Sequence, residues 1–564
     1  MEVLLCIPPD YDYNYPPLAT PALCAFLKNN GIRAFQTDLN LAYREFLAGH
    51  IRSSHLTRTE KKFLLRDILK EFFANKLKNR YYSSLLPGLS DGISLHLPYG
   101  NNSNSSFYFT ERLLSSGLLF RYLEDKEENT FLQFYQSRNI IGRLKKQKIS
   151  LLGISIISPM QAIASLTLGL LVKKELPQVH VNIGGQWPTL YRKEIIKRQG
   201  LFSCFDSVIV FEGETPLFKL VKALERKKPL EILNVILKGS FSDYSLTRTE
   251  KKMDSLPCPD FDGLALSRYN DSHRGRIQLT YEASRGCYWA KCAYCVDLPL
   301  PKPSYRYKSA KLVVRDIKQL QKNYKATNLM LGDPGLSPRQ MLEISQRIIN
   351  EGIKIDWWTM ARLDPGFNRV IFDAAFRAGL KQINFGFESA NDRICDLLDK
   401  GNRKDRSQRI IRDCSQAGIR VDLQAMIGLP NETLQDGLET VDFLVTNKEF
   451  IDHVTFNVYY LTPANYIYLN PGKYNIQYKR DSRLPFRFFI PFENVRGMNN
   501  QDADLLEKIY LSLVFRAGNP KVNKLKLKSR VKKGDLDFTL NNESICLKYV
   551  YNRSLGTLSL SGKL

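Results

Sequence analysis

Cys287, Cys292 and Cys295 fall within nine residues, in the stretch Ser284-Arg285-Gly286-Cys287-Tyr288-Trp289-Ala290-Lys291-Cys292-Ala293-Tyr294-Cys295. Three thiolates this close do not all serve a packed core. They suit a metal ion or cluster and leave one coordination position open, which is where chemistry usually occurs on a metal site. Structural zinc is the competing reading, and it needs a fourth ligand. His273 and Cys258 are the nearest candidates, and neither stands at a usual zinc-ligand spacing.

The elements that must position these cysteines alternate strand and helix. After a linker at 251–278, strands are predicted near 278–283, 327–332, 354–360, 382–388, 420–427 and 453–460. Helices fall between them, for example at 309–323, 338–350, 367–378, 404–417 and 432–447. This is the pattern of a parallel barrel with six units rather than eight, a partial (β/α)6 TIM barrel, whose working face is built from loops at the carboxyl ends of the strands. The polar residues gather there. The cysteines follow strand one, Gly332-Asp333-Pro334 follows strand two, and Arg362 ends strand three. Glu388 ends strand four, Gly428-Leu429-Pro430 ends strand five, and Thr462-Pro463 ends strand six. Each feature alone is weak, since an Asp-Pro is usually a turn and a Glu after a strand is usually solvated or capping. Together they mark one rim.

This constellation, over roughly 278–465, resembles the radical S-adenosylmethionine (SAM) enzyme superfamily. The resemblance implies that Cys287, Cys292 and Cys295 ligate a 4Fe-4S cluster whose fourth iron takes the amino and carboxylate groups of SAM. It places Tyr294 near the adenine and Gly332, Asp333 and Pro334 at the methionine amino group. Glu388 would meet the ribose or methionine moiety, Gly428 to Pro430 would lie along the adenine, and Arg362 joins the SAM-binding set. An electron from a low-potential donor of flavodoxin or ferredoxin type would then cleave SAM to methionine and a 5′-deoxyadenosyl radical, with the protein excluding water and aiming one C–H bond. The sequence departs from the family in one respect: four residues separate the first two cysteines where three are usual. The extra residue must loop outward, and the longer loop looks like that of a cobalamin-linked subgroup.

The first 250 residues also alternate strand and helix, with glycines at strand ends, and predict a doubly wound Rossmann-like sheet. Strands are expected at 2–7, near 32–37, at 150–156, at 180–183 and at 207–210, with helices around 18–30 and 160–175. A charged, partly helical insertion covers about 45–145. Such sheets bind ligands at the carboxyl ends of their strands. Ser155-Ile156-Ile157 and Gly184-Gly185 lie at two of those ends. With Phe211-Glu212-Gly213-Glu214 they resemble the cobalamin-binding half of cobalamin-dependent radical SAM proteins. The resemblance implies Ser155, Ile157, Gly184, Gly185, Gly213 and Glu214 as cobalamin-binding residues. The Asp-x-His-x-x-Gly motif is absent, so no histidine ligand to cobalt is expected from it.

Composition bounds the rest. The 564 residues call for two or three domains: 1–250, the barrel at 251–490 and a small α+β segment at 491–564. No run of 18 apolar residues predicts a membrane span, and the opening Met1-Glu2-Val3-Leu4-Leu5-Cys6-Ile7 reads as a buried strand rather than a signal peptide. Scattered cysteines suit a reducing cytoplasm. The net charge of +25 is spread along the chain with no aromatic-interleaved stripe, which favours a lysine-rich surface over a nucleic-acid site. The expected activity is cobalamin-dependent methylation of an unactivated carbon in a small-molecule or peptide-type substrate. Non-methylating radical chemistry is the first alternative, and a non-catalytic iron–sulfur protein that binds RNA or peptide is the second.

Overall fold

The computed structural model describes residues 1–10, 15–53, 110, 113–228, 231–239, 252–269, 277–296, 305–500, 502–503 and 506–507, and the C-terminal strands within 526–563. The chain forms two compact units that interleave along the sequence. Unit 1 is Met1–Arg285, Leu298–Gly332 and Arg480–Phe488; unit 2 is Gly286–Asp297, Asp333–Lys479 and Phe489–Leu564.

Unit 1 is built on strands β1 (Glu2–Ile7), β2 (Arg33–Asp38), β3 (Leu151–Ser155), β4 (His180–Gly184), β5 (Ser207–Ile209) and β6 (Val235–Leu237). Their order is β2-β1-β3-β4-β5-β6, parallel except for β6, which runs antiparallel to β5. Chain direction across the sheet therefore reverses at β1 and β3, the switch point of a doubly wound sheet. Strand alternation sends Val3 and Leu5 to one apolar cluster and Leu4 and Cys6 to the other, so β1 is buried on both faces. The first cluster is closed by Cys24 and Leu27 of helix α1 (Ala19–Asn29), and the second by residues outside that helix.

Within the expected insertion, helices α2 (Leu39–Ser53), α3 (Leu119–Glu124), α4 (Thr130–Ser137) and α5 (Ile140–Lys146) are present, and residues 54–109 lie outside the described residues. Helix α6 (Gln161–Glu175) is buried along nearly its whole length, so its sequence shows no polar stripe. Short helices α7 (Gln186–Leu190) and α8 (Arg192–Lys197) follow β4, and α9 (Glu214–Glu225) follows β5.

Residues 480–488 complete this unit. Phe486 is fully buried and stacks on Trp187, with ring centroids 5.6 Å apart, and packs edge-on against Tyr191 at 5.5 Å. Arg480 reaches Glu194 at 2.8 Å.

Six further parallel-type strands follow where the sequence places them: β7 (Gln278–Tyr281) and, after the small pair β8 (Ser284–Arg285) and β9 (Arg306–Tyr307), β10 (Asn328–Leu331), β11 (Asp356–Arg362), β12 (Leu380–Glu388), β13 (Arg420–Ile427) and β14 (His453–Val458). In unit 1, β7 pairs in parallel with β10; in unit 2, β11 to β14 pair in parallel in chain order. This is the partial barrel, with its helices set by local caps. Ser309 caps α10 (Ala310–Tyr324), Ser337 with Pro338 starts α11 (Pro338–Asn350), and Asn368 caps α12 (Arg369–Arg377). Asn391 caps α13 (Asp392–Leu397), and after α14 (Lys404–Gln416) a Thr433–Asp436 capping box opens α15 (Leu434–Thr446). The C-terminal segment ends in a four-stranded antiparallel sheet within 526–563.

Candidate functional site

In unit 2 the cysteine loop is fastened at its centre. Ala293 is buried; its N–H donates to the Leu398 carbonyl at 2.9 Å, and its own carbonyl accepts from Tyr466 and Ile467 at 3.0 and 3.2 Å. The three cysteines on either side are half-buried. The additional residue between Cys287 and Cys292 is accommodated by a left-handed turn at Ala290, φ +49°, which places Lys291 in solvent. A side chain costs roughly 1–2 kcal/mol in that conformation, so the turn is held by its surroundings.

Tyr294, Glu388 and Arg362 meet around this loop, as the rim predicted. Glu388 sits at a β-bulge where the β12–β13 register shifts, with φ +68°, and the bulge re-aims its side chain. Tyr294 Oη donates to Glu388 Oε1 at 3.0 Å. A residue not foreseen, Lys400, completes the network: its Nζ lies 2.9 Å from Glu388 Oε1 and 3.1 Å from Tyr294 Oη. Lys400 and Glu388 are 5 % and 6 % exposed, so this is a buried ion pair. Burial works against the Lys400 charge, but the Glu388 carboxylate overrides it and holds the amine above its usual range. Burial and then Glu388 push the Tyr294 hydroxyl far up, so it is a neutral donor. Asn402 donates to the carbonyls of Gly386 and Phe387 and fixes the strand end.

Arg362 points at the cysteine loop: its Nη1 donates toward Cys292 Sγ at 3.7 Å. Asp333 is fully buried after β10, and two residues on, Gly335 faces the loop, where an added Cβ would stand 3.8 Å from Cys287 Sγ. Gly332 donates to the Tyr281 carbonyl at 2.9 Å. Gly428 and Pro430 occupy a separate turn at the end of β13, where Leu429 N–H is held by buried Glu432 at 2.9 Å.

Among the described residues no three His, Cys, Asp or Glu side chains converge tightly enough to hold one ion. A cluster that takes one thiolate per iron needs a wider spacing than a single zinc, and three thiolates leave its fourth iron open. Arg362 Nε is buried without a partner, a donor that a cluster sulfide would satisfy. The donor set and this orphaned donor fit the cluster with SAM.

Unit 1 carries a cavity of about 370 Å³ at the carboxyl edge of its sheet, at the switch point. Ser155, Gly184, Gly185, Gly213 and Glu214 line it; Ile157 is not among the lining residues, and its N–H is taken by Gln161 Oε1 at 2.9 Å. Gly185 cannot be replaced without distortion, because its φ is +109° and a Cβ would stand 2.4 Å from the Ile156 carbonyl. The wall is mostly apolar, from Leu5, Leu18, Leu23 and Leu217. Thr20, also in the lining, keeps its hydroxyl buried without a partner.

An ionic cluster closes one side. Arg285 holds Glu214 at 2.6 Å and Glu282 at 2.7 Å and lies 3.5 Å from Glu212, which Arg306 clamps through both nitrogens at 2.5 and 3.2 Å. Burial pushes the Glu214 carboxyl up, but the Arg285 guanidinium outweighs it and holds it below the usual range. The glycine turns, the carboxylate acceptors and the buried hydroxyl are the kinds of group that would meet a corrinoid with amide side chains.

With both sites described, the chain's likeness to known proteins bears on the class. Residues 281–444 match the family model of the Radical SAM superfamily. This segment is a radical SAM domain. The chain is 26 % identical over 369 residues to an uncharacterized methyltransferase of Pyrococcus horikoshii, covering 63 % of this chain and 76 % of that one. The cobalamin-dependent SAM radical enzyme OxsB, solved with aqua-cobalamin and SAM bound, superposes with a TM-score of 0.60 at 15 % identity, over 91 % of this chain and 67 % of OxsB. The radical SAM methyltransferase TsrM of Kitasatospora setae, solved with cobalamin and a 4Fe-4S cluster, gives 0.54 at 14 % identity, over 90 % and 91 %. The radical SAM domain and the sheet before it thus share the fold of these enzymes. Among the described residues no helix is long and apolar enough to cross a membrane.

Proposed function

We propose that the protein is a cobalamin-dependent radical SAM enzyme that methylates an unactivated carbon of a small-molecule or peptide-type substrate. The observation that carries the reading is the pairing, in one chain, of the three-cysteine loop of the radical SAM domain with an apolar cavity of about 370 Å³ at the switch point of the preceding sheet. When bound, the cluster with SAM supplies radical generation and the corrinoid supplies a methyl carrier. Cys287, Cys292 and Cys295 would hold the cluster as thiolates. Arg362 and Lys400 bring positive charge to the same loop, and Glu388 and Tyr294 fix Lys400. Asp333, fully buried, would meet the amino group of SAM, and Gly332, Pro334, Gly428 and Pro430 would shape the turns along it. In unit 1, Gly184, Gly185 and Gly213 let backbone approach the corrinoid closely, while Thr20 and Glu212 offer polar contacts to its amides. Electrons come from a low-potential donor of flavodoxin or ferredoxin type, in a reducing cytoplasm that suits the nine free cysteines among the described residues.

The test is anaerobic reconstitution with iron, sulfide and hydroxocobalamin, then reduction in the presence of SAM labelled in its methyl group. The expected result is label on the bound corrinoid, S-adenosylhomocysteine, and 5′-deoxyadenosine in the same reaction. A chain that retains no corrinoid would sink the proposal. 5′-Deoxyadenosine without S-adenosylhomocysteine would replace methyl transfer by another radical reaction.

A further inference from the structure

Arg362 ends β11 at a point where a SAM-binding residue is expected, yet its contacts run to the cysteine loop itself. The side chain is 6 % exposed. Nη2 donates to the Lys400 carbonyl at 2.6 Å and fixes the plane of the guanidinium, and Nη1 is directed at Cys292 Sγ at 3.7 Å. Trp289, in the loop between Cys287 and Cys292, lies under it with 4.3 Å from guanidinium carbon to ring centroid. The indole is pinned in turn: Nε1 donates to the Asp399 carbonyl at 2.6 Å. Gly401, at φ +74°, makes room for it, because a Cβ there would stand 2.6 Å from the ring. Glycine at 401, indole at 289 and carbonyl at 400 thus hold one cation against one cysteine sulfur.

A cation and an N–H donor beside a cluster thiolate stabilise the more negative, reduced state, and hydrogen bonding to cluster sulfur is one of the levers by which proteins set cluster potentials. We propose that Arg362 is a positioning residue that raises the reduction potential of the cluster held by Cys287, Cys292 and Cys295, and that Trp289 is the plate that keeps it there. The inference rests on the proposed function in requiring that cluster. It separates Arg362 from the residues that contact SAM.

The experiment uses the full chain, reconstituted anaerobically, as wild type, Arg362→Gln, Arg362→Lys and Trp289→Leu. Iron and sulfide content is measured first, followed by an electron-paramagnetic-resonance redox titration without SAM and by SAM affinity in equilibrium dialysis. At the potential where wild type is half reduced, Arg362→Gln is expected to show a tenfold lower ratio of reduced to oxidised cluster, which for a one-electron couple is a 59 mV shift to more negative potential. Arg362→Lys keeps the charge but not the fork and falls between the two. Trp289→Leu shifts the ratio at least threefold in the same direction. SAM affinity changes less than twofold in Arg362→Gln. A fully loaded Arg362→Gln with the wild-type ratio overturns the inference, as does a tenfold loss of SAM affinity at unchanged potential. If Arg362→Gln does not assemble a cluster, Trp289→Leu decides, and a wild-type ratio there overturns it. A wild-type chain that never holds a 4Fe-4S cluster defeats the proposed function beneath it.

Discussion

Replacing Lys400 by methionine tests the buried network most directly. Met matches the length of the lysine stem and removes only the charge and its donors. The substitution deletes the hydrogen bonds to Glu388 Oε1 and Tyr294 Oη and leaves Glu388, 6 % exposed, without its countercharge. Breaking a buried pair by removing one member typically costs about 3–5 kcal/mol. Because Tyr294 still donates to the carboxylate, the lower part of that range, about 3 kcal/mol, is expected. Removing Glu388 as well, in Lys400→Met with Glu388→Leu, takes away both buried charges and should cost less than the single change. The cycle of the two positions should therefore show a coupling of about 1–3 kcal/mol. The assay is urea unfolding of the cluster-free chain followed by tryptophan fluorescence, reading the transition of unit 2 by linear extrapolation. A single variant within 1 kcal/mol of wild type, or an additive double variant, would refute the reasoning. Either result would mean that the network is open to water in solution.

Three further outcomes follow from other parts of the molecule. Phe486→Ala empties a fully buried aromatic site against Trp187 and Tyr191 and should destabilise unit 1 by about 3–5 kcal/mol in calorimetry or denaturant unfolding. Gly185→Ala drives a methyl group against the Ile156 carbonyl at the cavity wall, and corrinoid retained after desalting should fall at least tenfold while cluster content is unchanged. Burial raises the Glu432 carboxyl to about 8, so this group costs nothing below its unfolded value near 4.5 and destabilises increasingly as pH rises from there through 8. Glu432→Gln should therefore stay within about 1 kcal/mol of wild type in urea unfolding at pH 5 and exceed it at pH 8.5, by about 4–5 kcal/mol.

What the sequence made legible is what repeats or clusters along it. Alternating strand and helix fixes the six strands from β7 to β14, because parallel strands buried between helices must be apolar runs of that length. The cysteine triad is legible because three thiolates in nine residues have few other uses. Glycine turns at 184–185 reveal the cavity because backbone alone can approach a bulky ligand there. Lys400 was not legible: it follows α13 in an ordinary Asp-Lys-Gly turn, and only the fold carries it back to Glu388, twelve positions earlier. Trp289 reads as part of a motif, and nothing in its neighbours says that an arginine seventy residues on will stack on it. Two of the three carboxylates around Arg285, Glu212 and Glu214, share one motif, but Arg306 joins them from beyond the cysteines. Long-range charge pairing has no period, which is why it escaped.

The segment 480–488 imposes an order on biosynthesis. Unit 1 has almost all of its sequence by Gly332, yet Trp187 and Tyr191 lack their packing partner until Phe486 is made. At about 5–20 residues per second, the roughly 150 residues from Gly332 to Phe486 take roughly 8–30 s to synthesise. Through that interval the nascent sheet shows the ribosome, its chaperones and any protease an uncovered aromatic face beside α7 and α8. Those helices follow directly on Gly184 and Gly185. A corrinoid arriving early would therefore meet a cavity whose outer support is still unwritten, and loading should follow release of the chain.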